Sequence, residues 1–248
     1  MDITSLDLST LQVDLVSGAF SLTLAVFIGS ALFFFLSRQD VALRYRMAVT
    51  ISGVIVTIAG YHYWRILGSF EAAVQGEALF NEAYRYVDWI ITVPLLLTEL
   101  VLVLSIDAAR RRSLLMRLVP YSFLMIALGY PGEVSDSVTV TWLFWGLSMV
   151  FFVLILWTLF GELSRQIAEE RPEVRSTLRG LRLILLVTWS FYPVAYLFPV
   201  LLADAATAFV LLNVGYAIAD ITAKAGYGLM IHHVAKVKTE VEEQVTVA

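Results

Sequence analysis

Two stretches of the chain, Leu15–Leu36 and Val138–Leu159, contain no Lys, Arg, Asp or Glu at all. Each reaches the about 20 residues that carry an α-helix across a bilayer. In hydrocarbon every backbone N–H and C=O must be satisfied within the segment, so a run of this length implies a membrane-spanning helix. The rest of the chain is of the same character. Hydrophobic residues make up 59% of the 248 residues and charged residues 15%, against about 45–50% and 25% in an ordinary soluble domain.

Seven apolar segments separated by short polar breaks can be read at about 15–36, 45–68, 84–106, 114–130, 138–162, 179–202 and 207–235. The expected fold is therefore an all-α membrane protein, a single seven-transmembrane-helix bundle over 1–248 with no soluble second domain. The acidic Met1–Asp14 stretch lacks the basic region of a signal peptide. The polar, acidic residues 237–248 are expected to be a disordered tail. With no cysteine, disulfides, thiol catalysis and cysteine-ligated metals are excluded, and no metal site is expected. No basic face of the kind that binds nucleic acid is present.

Orientation follows from the cations. Fourteen of the 17 Lys and Arg residues fall in or beside the breaks after the first, third and fifth spans or at the end of the seventh, while acids such as Glu71, Glu77, Glu133, Asp136 and Asp204 fall in the other loops. The positive-inside rule then places the N-terminus outside and the C-terminus in the cytoplasm. Arg65 lies near the outer end of the second span, and Arg85 and Lys224 lie within spans.

An ionisable group in hydrocarbon costs at least about 2.5–3.5 kcal/mol on insertion scales and is a functional candidate by default. The third segment holds Arg85, Asp88 and Glu99, the seventh Asp220 and Lys224, and the second His62. Asp220 and Lys224 are four residues apart, on one helical face. Arg85, Asp88, Thr92 and Glu99 step by three, four and seven, and share a face too. Each residue alone is compatible with packing: Arg85 can reach the interface, Asp220–Lys224 can be a self-neutralising pair, and His62 can be a core histidine. Two charged stripes directed into one bundle are harder to explain that way. A buried amine is also suited to Schiff-base chemistry.

These residues carry a resemblance. Arg85-Tyr86-Val87-Asp88-Trp89 followed by Thr92, Pro94, Leu95, Leu96 and Glu99, Trp189-Ser190-Phe191-Tyr192-Pro193 in the sixth span, and Asp220-Ile221-Thr222-Ala223-Lys224 in the seventh resemble the microbial rhodopsins over nearly the whole chain. Gly60-Tyr61-His62-Tyr63 and Gly129-Tyr130-Pro131-Gly132-Glu133-Val134-Ser135-Asp136 are more similar to the proteorhodopsin and xanthorhodopsin groups of bacterial proton pumps than to the haloarchaeal ones.

The resemblance implies all-trans retinal bound covalently to Lys224 as a protonated Schiff base, with Asp88 and Asp220 as its counterions and Arg85 and Thr92 beside them. Tyr86, Trp89, Leu96, Met125, Gly129, Trp145, Trp189, Tyr192 and Pro193 would line the pocket, whose long apolar ligand calls for flat aromatic walls. It implies a light-driven outward proton pump, an ion transporter and not an enzyme, with Asp88 as proton acceptor and Glu99 as donor. These two lie on one track, 11 residues and thus about 16 Å apart along a helix and about 20° apart around it. His62 would share a proton with Asp88. The implied setting is the bacterial inner membrane, as a multi-pass homo-oligomer, pentamer or trimer, with lipid, retinal and protons as partners.

Two family features are missing from the pattern. The haloarchaeal proton-release glutamate of the seventh helix corresponds to Leu212, and Trp145 rather than Gly146 falls where carotenoid-binding members open a window onto the retinal ring, so no carotenoid antenna is expected. The alternative function is a retinal photosensor that signals through a partner protein. A sensor is expected to carry an appended signalling domain, and the chain ends some 12 residues after the last segment.

Overall fold

The computed structural model describes residues 1–170 and 172–247. Among these residues seven helical rods are long and apolar enough to cross a membrane, and there is no strand. The first six rods are α1 (Thr10–Ser37), α2 (Arg46–Val74), α3 (Ala83–Val103), α4 (Ala108–Glu133), α5 (Val138–Glu169) and α6 (Pro172–Ala195). After a short α7 (Phe198–Leu201), the seventh rod comprises α8 (Ala205–Asp220), a π-helical turn (Ile221–Gly226) and α9 (Tyr227–Val247).

Several helix starts are chemically marked. Ser9 and Gln12 form a capping box on α1. Asp107 and Asp204 accept the backbone N–H of Arg110 and Thr207, each at 2.9 Å, which satisfies donors that would otherwise be orphaned. The Arg110 backbone N–H holds the Asp107 carboxyl below the usual range, and the Thr207 hydroxyl and N–H do the same for Asp204. Pro94, Pro120, Pro131 and Pro193 lie inside helices, which neighbouring helices in a membrane bundle can tolerate.

Consecutive rods pack side by side and α1 closes the ring against α8. The bundle is inside-out relative to a soluble one. Leu22, Leu32, Trp157, Leu183 and Ile218 are exposed on the outer surface, whereas Arg85, Asp88, Thr92, Glu99, Asn213, Asp220 and Lys224 are buried. The lipid-facing surface is thus apolar and the charges face one another.

The structure departs from the sequence reading at three places. The sixth rod stops at Ala195, and residues up to 202 belong to the separate α7 and its flanks. Pro199 cannot supply a backbone donor to a continuing helix. Residues 237–247 are not a disordered tail: α9 continues to Val247, and Lys238 and Thr239 are buried. Lys238 Nζ donates to Glu170 at 2.6 Å and Ser105 at 2.8 Å, and Thr239 Oγ1 accepts the N–H of Ala42 at 2.9 Å. Tyr45 donates to Glu242, which also pairs with Arg44. Polar composition here reflects docking onto the ends of other helices rather than solvation. The third departure is Glu133. Expected in a loop, it is the last residue of α4 and turns inward to accept the Tyr86 hydroxyl.

Candidate functional site

Two rods, the third and the seventh, bring the charged stripes together. α3 presents Asp88, the π-helical turn presents Lys224, and Asp220 closes α8 immediately before that turn. π-turns are rare and frequent at functional sites. Lys224 Nζ lies 2.6 Å from Asp220 Oδ1 and 3.0 Å from Asp88 Oδ2, and all three residues are at most 2% exposed. One buried cation between two carboxylates leaves the centre with an excess negative charge, which must be held by hydrogen bonds.

The two carboxylates are held very differently. Asp220 accepts from Tyr192 at 2.6 Å, from Tyr63 at 2.9 Å, from Trp89 Nε1 at 3.3 Å and from Lys224. Asp88 has the Lys224 ion pair at Oδ2 and no other donor among the described residues at either oxygen. Thr92 spends its hydroxyl on the Asp88 carbonyl at 2.9 Å, not on the carboxylate. His62 Nδ1 stands 3.9 Å from Asp88 Oδ1 but is 2.9 Å from the Ile58 carbonyl. At 3.9 Å it is beside the carboxylate but too far for a direct hydrogen bond. Asp220 is thus held by four donors, whereas Asp88 has lone pairs left over beyond its Lys224 ion pair.

Beyond this centre the polar groups separate along α3. Arg85, 2% exposed, donates to Asn213 at 3.0 Å and lies over the Tyr216 ring with 5.0 Å to the centroid. In the other direction Glu99, fully buried, accepts from Ser52 at 2.5 Å through Oε2, while Oε1 has no partner among the described residues. Tyr227, one turn past Lys224, is likewise buried with its hydroxyl unpartnered.

Lys224 also opens onto a cavity between α3, α4, α5 and α6. Its walls are apolar and aromatic, with Trp89, Trp189, Tyr192 and Tyr86 as the large flat surfaces. Leu96, Met125, Gly129, Trp145 and Pro193 line it too, so all ten residues expected around the ligand, Lys224 included, border one space. The Trp145 indole donates to the Pro193 carbonyl at 2.9 Å, which ties α5 to α6 across the wall. A Cβ on Gly129 would sit 3.3 Å from the Tyr86 hydroxyl, so glycine keeps that wall open.

Sequence reasoning missed Tyr63, Ser52, Asn213 and Tyr216. Each is an uncharged polar residue and so stands outside the pattern of ionisable groups. The one signal available was position: Ser52 and Tyr63 lie on the second segment with His62, and Asn213 and Tyr216 precede Asp220 by seven and four residues, on its face.

Comparison with known proteins gives a consistent set of likenesses. The family model described as bacteriorhodopsin-like protein matches residues 15–237. The green-light absorbing proteorhodopsin of Gamma-proteobacterium EBAC31A08 is 31% identical over 220 residues, covering 88% of this chain and 85% of that protein. The crystal structure of xanthorhodopsin, described as a light-driven ion pump with dual chromophore, superimposes with a TM-score of 0.90 at 45% identity, covering 95% of this chain and 98% of that one. A thermophilic rhodopsin structure gives 0.88 at 42% identity over 95% and 98%.

Proposed function

The chain belongs to the bacteriorhodopsin-like family, and on that premise we propose that it is a light-driven outward proton pump holding all-trans retinal in Schiff-base linkage to Lys224 Nζ. The observation that carries this reading is the placement of Lys224. Its Nζ lies between Asp88 and Asp220 at the mouth of the aromatic cavity, with Glu99 buried farther along the α3 face.

The residues fit the group. The cavity is enclosed by apolar and aromatic side chains with Lys224 as its one amine, the lining expected of a small-molecule site. Its aromatic walls suit an elongated apolar chain, and its one amine suits a carbonyl partner. When bound, retinal supplies the absorption of visible light and a bond isomerisation that redirects the Nζ proton.

The protein's own groups then divide the work. Asp220, with donors from Tyr63, Tyr192 and Trp89, stays ionised as the standing countercharge. Asp88 Oδ2, 3.0 Å from Nζ and free of other donors, takes the Nζ proton. Glu99 returns a proton to Nζ from the other direction, and Ser52 stabilises the carboxylate left behind. With the N-terminus outside, as the distribution of Lys and Arg indicates, Asp88 is on the outer side and transport is outward.

Thr92 positions Asp88 through its backbone, and His62, 3.9 Å away, tunes it through space. Such a protein is a transporter rather than an enzyme, resident in a bacterial inner membrane as a homo-oligomer. Trp145 fills the part of the wall where a carotenoid window would open, which supports retinal as the single chromophore. In membranes supplied with retinal, Asp88→Asn should shift the absorption to the red and abolish light-driven proton export. Export at the parent rate would exclude Asp88 as acceptor.

A further inference from the structure

Glu133 ends α4 at the boundary between the buried polar groups and an open vestibule of about 740 Å³. Its Oε2 accepts hydrogen bonds from two phenols, Tyr86 and, at 3.5 Å, Tyr216. Tyr216 is 1% exposed and stacks on Tyr192, with ring centroids 5.7 Å apart, and Tyr192 donates to Asp220. The Arg85 guanidinium lies over the other side of this assembly, 5.0 Å from the Tyr216 centroid. Tyr216 and Arg85 therefore lie between the Lys224 centre and Glu133, Tyr216 touching the Asp220 donor Tyr192 by ring stacking and Glu133 through its hydroxyl. On the far side Glu133 lines the vestibule, together with Glu82, Asp136 and Asp2.

The local backbone is built to bring Glu133 inward. The preceding residue is Gly132, whose carbonyl accepts the Thr141 hydroxyl at 3.0 Å. A Cβ there would stand 2.8 Å from Phe144 Cβ and overlap the Tyr196 hydroxyl. Only a glycine lets the end of α4 approach α5 and Tyr196 this closely. On the seventh rod, Leu212 lines the same vestibule without a titratable group.

We infer that Glu133 is the exit carboxyl of the transport path, the residue through which a proton leaving the Asp88 region reaches the vestibule; this rests on the pump reading above. The step balances. The Glu133 carboxylate takes up one proton from the Asp88–Arg85 side, becomes a carboxylic acid, and loses the same proton to vestibule water. Tyr86 and Tyr216 hold the acceptor oxygen during both halves of the step. The charged groups acting on Glu133 are Arg85, which favours its carboxylate, and Glu82, which opposes it.

The test is flash-induced proton release, followed with a pH-indicator dye in detergent-solubilised, retinal-loaded protein, for the parent, Glu133→Gln and Glu133→Asp. Gln preserves an oxygen for the two tyrosines but cannot take up a proton. The expected result is a delay of release by about 10²-fold in Glu133→Gln, partial recovery in Glu133→Asp, and an absorption maximum unchanged in both. The same release time in all three would overturn the exit role. Absence of any light-driven release in the parent would instead overturn the pump reading. A shifted absorption maximum with normal release would make Glu133 a residue that tunes the colour, and would also overturn the exit role.

Discussion

Removing the Ser52 hydroxyl should slow the return of the protein to its dark state. Ser52 Oγ is 2.5 Å from Glu99 Oε2, and it is the one described group that hydrogen-bonds either oxygen of that carboxyl. Both residues are buried, so water does not readily replace the bond in Ser52→Ala. A hydrogen bond to an ionised group contributes about 1.5–3 kcal/mol and one to a neutral group about 0.5–1.5 kcal/mol. The hydroxyl therefore favours the deprotonated Glu99 over the protonated one by roughly 1.4 kcal/mol, which corresponds to about tenfold in proton donation. The assay is recovery of the dark absorption after a laser flash, measured across pH for the parent, Ser52→Ala and Glu99→Gln. Ser52→Ala should be slowed about tenfold, and Glu99→Gln more strongly, in a pH-dependent manner and with rescue by azide. If Ser52→Ala recovers at the parent rate while Glu99→Gln is slow, the hydrogen bond has no part in donation. If both recover normally, Glu99 is not the donor.

Three further outcomes are expected. Lys224→Ala should give protein that stays colourless when retinal is added, and a covalent visible pigment in that variant would refute the attachment site. His62→Met should displace the dark-state colour transition by on the order of one pH unit, because Nδ1 stands 3.9 Å from Asp88; superimposable spectral titrations would leave His62 a packing residue. Gly132→Ala should cost about 1–3 kcal/mol through overpacking, since its Cβ would meet Phe144 and Tyr196, and thermal bleaching of the pigment at the parent temperature would contradict that.

The parts of this protein that could be read from sequence are those written along single helices. Runs without charge mark the spans because hydrocarbon excludes charge, and Asp88, Thr92 and Glu99 show their common face through helical spacing alone. Contacts between helices are written nowhere in that pattern. That Asp220 is saturated by Tyr63, Tyr192 and Trp89 while Asp88 is left free depends on how α2, α3, α6 and α8 pack, and it is this asymmetry that separates the two carboxylates. The π-helical turn at Lys224 has no compositional mark either. Glu133 reads in sequence as a loop acid, yet the end of α4 turns its half-buried carboxylate inward to Tyr86, beside the close approach that Gly132 permits. The same reasoning failed at Lys238 and Thr239, whose partners Glu170, Ser105 and Ala42 lie far away in sequence.

The most direct test of the pump is the pH of an unbuffered suspension of bacterial cells that express the chain and are given retinal. Illumination should acidify the medium, a protonophore should abolish the change, and Lys224→Ala cells should show none. A light-dependent alkalinisation that the protonophore removes, or a coloured protein that moves no protons in either direction, would contradict outward transport through Asp88 and Glu99.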